Sequence, residues 1–439
     1  MKKTVLTGLA GCLIVYTAMF LSGCMKDTVR RTYKINVPIY QSLAEYRAGI
    51  KAGEPKTISN TGKIAVSGSY IFLSSPGQGV NVVDNRNPQQ PRNVTFINIP
   101  GNADIAISGN TLYADSYSDL ISFDIQDPAN PVTKKFNTNA FPYFGGYFLA
   151  NPSAAGGTYI YYNPNQGPVD ENSLYVIKGW TTRDTTVDVN GQPPVYPVYF
   201  DCSNCSYYYS ANAGAASSAG GTNGVATNGS LSRFAIAGSY LYTISYDSLS
   251  SFDISDHFSP ALKGKTFVNW GSETIFPFQD KLFIGSVNGM YLFDIQSDPV
   301  KPSLLGQVAH IQSCDPVIAD ADFAYVTLRD GTRCSGFSNQ LDIYDISNLT
   351  APTLLKTYHL THPTGLSKDG DLLFICDGKD GLKLFNAADK NNLQLLKQFR
   401  DAETIDVIAS NGLAIVMAAD GIYEYSYSDL SNIHLLSKL

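Results

Sequence analysis

Cys24 is the residue whose type and surroundings specify a reaction most closely. It ends the run Leu21-Ser22-Gly23-Cys24, after an apolar stretch from Val5 to Leu21 and a basic start at Lys2 and Lys3. A basic start, a short apolar core and small residues before a cleavage point have the physics of a secretory leader. The last four residues look like a bacterial lipobox, in which the Cys24 thiol is diacylated and becomes the new N-terminus. Acyl chains anchor at about 0.8 kcal/mol per buried methylene, so the lipid bilayer is the expected partner of this end. Met25 is not the aspartate that signals inner-membrane retention, which favours the outer membrane. Lys26-Asp27 is a thin version of an acidic export tract, so the periplasmic and the surface-exposed face both stay open.

The other cysteines fit an exported chain. Cys314 and Cys334 flank one β-hairpin, and a disulfide between them would clamp a blade edge in an oxidising compartment. Cys202-Ser203-Asn204-Cys205 has the spacing of a redox or metal pair. It lies in a Tyr-rich stretch outside any βαβ context, which favours a local disulfide. Zinc would need two more ligands, and none stands nearby. Cys376, in the apolar run LLFICDG, reads as a buried, inert strand residue.

Signatures of catalysis are weak. There is no Gly-x-Ser-x-Gly elbow and no His-Glu-x-x-His helix. Asp369-Gly370-Asp371 and Asp377-Gly378-Lys379-Asp380-Gly381 lack the alternating ligands and terminal Glu of a calcium loop, and read as hairpin turns. A glycosidase needs two placed carboxylates, and 38 acidic residues supply pairs without identifying one. No cofactor and no metal are expected.

The element that must position any site is a repeat. Its clearest copy runs from Asp104 to Phe136: an apolar run, a Gly-Asn turn, a second run, a third ending Phe-Asp-Ile, an Asp-Pro turn and a fourth run. The Asp after the third run recurs as Asp84, Asp124, Asp253, Asp294 and Asp345, with Asn386 and Ser426 in weaker copies. The separations are 40, 129, 41, 51, 41 and 40 residues. A period of roughly 40 to 45 residues with several short strands is a propeller blade, too small to bury its own faces. The fold class is therefore all-β, a β-propeller of seven four-stranded blades, with eight as the alternative. Its first inner strand is expected near Ile64 to Ser67, and Ile433 to Leu439 on the outside of a blade. The repeated Asp reads as a turn-bonding residue, because a catalyst would occur once per chain and not once per blade.

The domain plan follows. Residues 1–23 are a signal peptide, 24–56 an anchor segment and 57–439 the propeller, with an insertion at 141–230. Ser42-Leu43-Ala44-Glu45 reads as a capping box opening one short helix, ended by Gly53 and Pro55. The insertion lacks the repeat. Pro193, Pro194 and Pro197 interrupt any ladder, and Ser210 to Ser232 has linker composition, so a decorated loop is favoured over an irregular eighth blade.

Propellers present chemistry where loops lead into the innermost strands. Here those positions are Lys63, Asp104, Arg233, Thr274, Asp315, Thr364 and Asp406, with His362 beside them. This ring is the candidate ligand-binding channel mouth, or else an ion-paired rim. The chain has net charge −7 and no basic stripe, so nucleic acid is an unexpected partner.

The stretches GNADIAISGNTLYADSYSDLISFDIQDPANP and DPVIADADFAYVTLRDGTRCSGFSNQLDIYDISN resemble the LVIVD-repeat lipoproteins of Bacteroidota, as does the leading YQSLAEYRAGIKAGEPKTISNTGKI. The resemblance covers most of the mature chain. It implies a lipid-anchored β-propeller without established catalytic activity, and offers no catalytic motif to carry over. The expected function is a non-catalytic scaffold at the outer membrane, binding protein or glycan through the ring or the insertion. The alternative is a propeller enzyme acting on polysaccharide or peptidoglycan fragments.

Overall fold

The computed structural model describes residues 30–141, 147–151, 158–162, 169–188, 227–245, 247–309, 316–330 and 338–439. Cys24, Cys202, Cys205, Cys314, Asp315 and Cys334 lie outside the described residues.

Seven antiparallel sheets follow one another along the chain, each built in sequence order from its innermost to its outermost strand. We number these blades 1 (64–98), 2 (105–137), 3 (234–267), 4 (272–309), 5 (317–359), 6 (366–399) and 7 (404–438). Blade 1 begins with Ile64–Ser67, and blade 7 ends with His434–Lys438 on its outside, both where the repeat placed them. Each sheet is too thin to bury its own apolar side chains, so blades pack face to face. Ala106, Tyr113 and Leu120 of blade 2 share a core with Phe234, Leu241 and Phe252 of blade 3. Ile64, Ile71 and Val83 of blade 1 meet Ile408, Ile415 and Met417 of blade 7. Blade 2 thus lies directly against blade 3, and the ring closes from 7 to 1 as seven blades.

The turn chemistry repeats as well. Asp84, Asp124, Asp253 and Asp345 each accept the backbone N–H two residues on, at 2.9 to 3.1 Å, and Asp294 accepts that of Ser297 at 3.1 Å. Asn386 does the same for Ala388 at 3.0 Å. A second such turn follows in every blade, on Asn87, Asp127, Asp256, Asp298, Asn348, Asp389 and Asp429. The repeated Asp is therefore a turn element, as its recurrence predicts. Between the third and fourth strands each blade also carries a register shift, for example between Ser251 and Phe252. Such bulges add local twist.

The insertion departs from the expected loop. Tyr147–Asn151 pairs with Thr158–Tyr162 and with the first residues of the long strand Leu174–Asp188, through Phe148↔Tyr175 and Leu149↔Leu174. Absence of the repeat marked this region as a loop, but strands need only partners. The three prolines lie outside the described residues. The chain divides into two compact units, one of residues 1–41 and 177–201, the other of 42–176 and 202–439. In the first, residues 30–41 run beside residues 177–188, and Thr32 Oγ1 lies 2.9 Å from Thr186 Oγ1. A strand of 13 residues at Arg30–Ser42 was not anticipated.

The short helix, Leu43–Ala48, starts at Ser42 with both capping-box bonds to Glu45. Leu43, Tyr46 and Ile50 are buried against Ile97 and Ile99 and against Ile121 of blade 2. Tyr46 Oη meets Ser116 Oγ, and Arg47 lies 3.5 Å from the buried Asp119 carboxylate. Ala52–Gly53 then adds a short strand to the outer edge of blade 1. Removing the apolar anchor should matter more than removing the cap. Leu43→Ala should lower unfolding free energy by about 3 kcal/mol and Ser42→Ala by about 1 kcal/mol, read from urea denaturation. Equal, negligible losses would mean that the helix is not docked on blades 1 and 2.

Candidate functional site: a plugged central channel

The innermost strands begin at one face of the ring, and the ring residues Lys63, Asp104, Arg233 and Asp406 meet there. They do not line an open mouth. Residues 227–233, the end of the stretch with linker composition, occupy that end of the channel. Thr227–Asn228 pairs antiparallel with Val66 and Ala65 of blade 1, and Gly229 N donates to Ile64 O at 3.1 Å. Asn228 Nδ2 reaches Ile105 O of blade 2 at 3.4 Å. Ser230 Oγ accepts from Leu366 N of blade 6 at 3.0 Å, and Ser232 O from Ile275 N of blade 4 at 2.9 Å. Lys63 Nζ donates to Leu231 O. Ser230, Leu231 and Ser232 are buried. This segment is a plug, and it leads directly into blade 3.

Beneath it the charges neutralise one another. Asp104 Oδ1 accepts from Ser232 Oγ at 3.0 Å, and Asp104 Oδ2 from Arg233 N at 2.5 Å. Arg233 Nη2 lies 3.2 Å from Asp115 Oδ2. Asp115 Oδ1 also accepts from Ala103 N at 2.6 Å and Asp104 N at 2.9 Å. Burial pushes the Asp115 carboxyl up to about 6, against the pull of Arg233. Burial likewise brings the Lys63 ammonium down to about 8 and raises Asp406 to about 8. Asp406 Oδ1 accepts from Val407 N at 2.7 Å, while its buried Oδ2 has no hydrogen-bond partner among the described residues. Burial raises Glu273 too, offset by Arg329 and Lys63. Burial thus favours a retained proton on Asp406.

Of the remaining ring positions, Thr274 and Thr364 are buried. His362 is partly exposed on the face above blade 6, with Nδ1 3.4 Å from Asp330 Oδ1. Its backbone N–H and that of Thr361 are held by the buried Asp377, which also takes Lys383. The motif Asp377 to Gly381 closes a hairpin, Asp377 N donating to Gly381 O at 2.8 Å. Cys376 is a free, buried thiol whose pKa burial raises well above its ordinary value. That suits an inert strand residue and not a nucleophile. Among the described residues, no three His, Cys, Asp or Glu side chains are grouped to hold a metal. Asp115, Glu273 and Arg329 escaped the sequence ring. Their signal is a charged residue inside an otherwise apolar strand or at its end, as in Ser272–Phe278.

Two outcomes follow. Arg233→Ala leaves Asp115 buried without its cation and should cost about 3 kcal/mol of stability, while His362→Ala should cost under about 1 kcal/mol; calorimetry separates them. The second concerns pH. An acid whose folded pKa exceeds its unfolded value stabilises the fold fully below the unfolded value and loses that contribution as pH rises through the folded one. For Asp406 the loss runs from the ordinary 3.8 to about 8. Lys63, displaced downward, acts oppositely, its contribution being present above 10.5 and lost as pH falls to about 8. Stability should therefore fall between pH 5 and pH 8. Asp406→Asn should shrink that fall by roughly 2 kcal/mol or more. An unchanged slope would place the retained proton elsewhere.

No curated protein sequence matches this chain. Solved structures similar to it include BamB from Moraxella catarrhalis, 9% identical over 89% of this chain and 97% of that one, with a TM-score of 0.44. A periplasmic gluconolactonase from Pseudomonas aeruginosa is 12% identical over 86% of this chain and 95% of that one, with a TM-score of 0.48. Neither likeness carries an argument about ligand or reaction. Residues 100–138 and 317–359, which hold blades 2 and 5, match the LVIVD repeat, so two blades of this propeller carry that repeat and the other five share their strand and turn plan.

Proposed function

We propose that this chain is a lipid-anchored, non-catalytic propeller that presents a binding surface for protein or glycan at the outer membrane. The observation that carries this is the plug. The end of the channel where loops converge holds residues 227–233, and below it Asp104, Asp115 and Arg233 are partnered with one another and with the plug. A hydrolase funnel needs acids that reach both substrate and water. Here Asp104 and Asp115 accept from backbone N–H groups and from Arg233. The surface left for a ligand is the loops around the plug, His362 among them, and the insertion at 141–230. The anchor in this proposal is acylated Cys24 in the bilayer, and the Cys314–Cys334 and Cys202–Cys205 pairs would be oxidised after export. No nucleic acid partner is proposed for a chain of net charge −7.

Cys24→Ala should move the protein from the membrane fraction to the soluble fraction. Full retention in the membrane would remove the lipid anchor from the proposal. For the binding half, the purified chain is screened for capture on glycan and protein arrays, with turnover followed in parallel. Capture without turnover is expected. Turnover that vanishes when one carboxylate is replaced would make the protein an enzyme.

A further inference from the structure

Two residues before the repeated turn residue, each blade buries one side chain at the same point of its third strand, just ahead of the bulge. These are Val82, Ser122, Ser251, Leu292, Ile343, Leu384 and Glu424. Six of them are apolar or a serine. The seventh is an acid, 1% exposed, at the seam between blades 7 and 1 where the ring closes. Among the described residues no strand is shared across that seam. At the other six seams the chain itself links one blade to the next.

Glu424 faces blade 1. Tyr423 and Tyr425, on either side of it, belong to the core shared with blade 6. Asn85 Nδ2 of blade 1 donates to Glu424 Oε2 at 2.9 Å. Three more polar atoms are buried without a hydrogen-bond partner among the described residues: Glu424 Oε1, Asn85 Oδ1 and Ser437 Oγ, Ser437 being paired with Glu424 across the outer strand. An ionised Glu424 only accepts, and so does the Asn85 oxygen. The charge would then be met by a single hydrogen bond. Other titratable groups nearby are turned elsewhere. Asp84 takes Arg86 and Arg92, Lys438 pairs with Asp420, His434 is exposed against Asn432 O, and Tyr70 packs with the blade 1 and 2 core. The second strand of blade 7, Leu413–Ala418, has no titratable side chain. Burial raises the Glu424 carboxyl to about 7, and the Asn85 bond is the one influence against it.

We propose that Glu424 is a pH-sensitive latch, which as the neutral acid holds the seam between blades 7 and 1 shut and as the carboxylate loosens it. The neutral acid keeps the Asn85 bond through its carbonyl oxygen and brings one donor to a group of buried atoms that lacks one. The carboxylate leaves a charge between apolar surfaces instead. An acid whose folded pKa is raised stabilises the fold fully below its unfolded value and loses that contribution as pH rises through the folded one, here from 4.5 to about 7. The effect is local, because it falls on the one seam that the chain does not cross. Leu231 of the plug lies in the apolar cluster of that seam with Ile71 and Ile408, so loosening there also reaches the plug.

Hydrogen exchange of the full chain, followed by mass spectrometry at about pH 5.5 and about pH 8, tests the latch. Protection is expressed relative to the unfolded chain at the same pH. On going to the higher pH, peptides from 64–84 and 413–438 should lose at least about tenfold more protection than peptides from 234–286. That difference separates the seam from the ring-wide effect of Asp406. Glu424→Gln keeps the size of the acid and stays neutral, and should abolish the excess loss. Glu424→Leu installs the residue that blades 4 and 6 carry at this point. It should abolish the excess loss as well, and it decides the matter if Glu424→Gln does not fold. Equal losses in the two sets of peptides of the parent chain overturn the latch. So does an excess loss that persists in the folded variant.

Discussion

Taking an ammonium group out of water costs several kcal/mol unless its protons find acceptors. Lys63, buried where the inner strands begin, finds one in the carbonyl of Leu231. A peptide carbonyl offers no net charge, so Asp104 completes the balance from the neighbouring blade 2. The consequence reaches across the ring. Leu231 can stand over Lys63 only if residues 227–233 thread the channel, and there they bond to blades 1, 2, 4 and 6. Blades 2 to 7 are each built from their own contiguous residues, blade 1 gains Ala52–Gly53 and Thr227–Asn228 at its edges, and the last strand, His434–Lys438, stays in blade 7. Closure therefore rests on side chains and on the plug. Thr61 Oγ1 donates to Ala418 O at 2.9 Å and Asn85 Nδ2 to Glu424 Oε2 at 2.9 Å, while the plug ties the ring from inside.

What was legible followed from local chemistry. The first strand of blade 1, the outer strand of blade 7, the capping box at Ser42 and the turn role of the repeated Asp all depend on residues a few positions apart. The plug does not. Asn-Gly-Ser-Leu-Ser has the composition of a linker because its partners are main-chain and side-chain groups of four distant blades, and nothing local announces them. Leu231, buried between polar neighbours, is the one apolar hint. Arg30–Ser42 was hidden for a related reason. Pro38 argues against a central strand, yet a strand at a sheet edge tolerates it. Register brought Lys63, Asp104 and Asp406 to one end of the inner strands, but did not announce their burial, which depends on the plug.

The same constraint shapes the face around the channel. Each connection between blades must hold irregular backbone beside a charged, closed centre, and different residues do so at or just past the end of the second strand. In blade 1, Ser74 Oγ accepts from Lys63 N at 2.6 Å. In blade 2, Asp115 accepts from Ala103 and Asp104 N–H groups. In blade 4, Ser286 holds Trp270 O, and in blade 6, Asp377 holds Thr361 and His362. Ser74, Asp115, Ser286 and Asp377 are buried, so their polar atoms are committed to the loops they hold.

Commitment of that kind separates what can change from what cannot. A loop whose backbone is fixed by a buried acceptor presents its outward side chains at defined positions, whatever they are. Trp270 and His362 are such side chains, one neutral and aromatic over blades 3 and 4, the other titratable over blade 6. A contact made there would not need the entropy of ordering a loop. A propeller whose channel is closed can thus present differently composed rims on one frame, because the charges that hold the frame together face inward and the outward side chains do not share them.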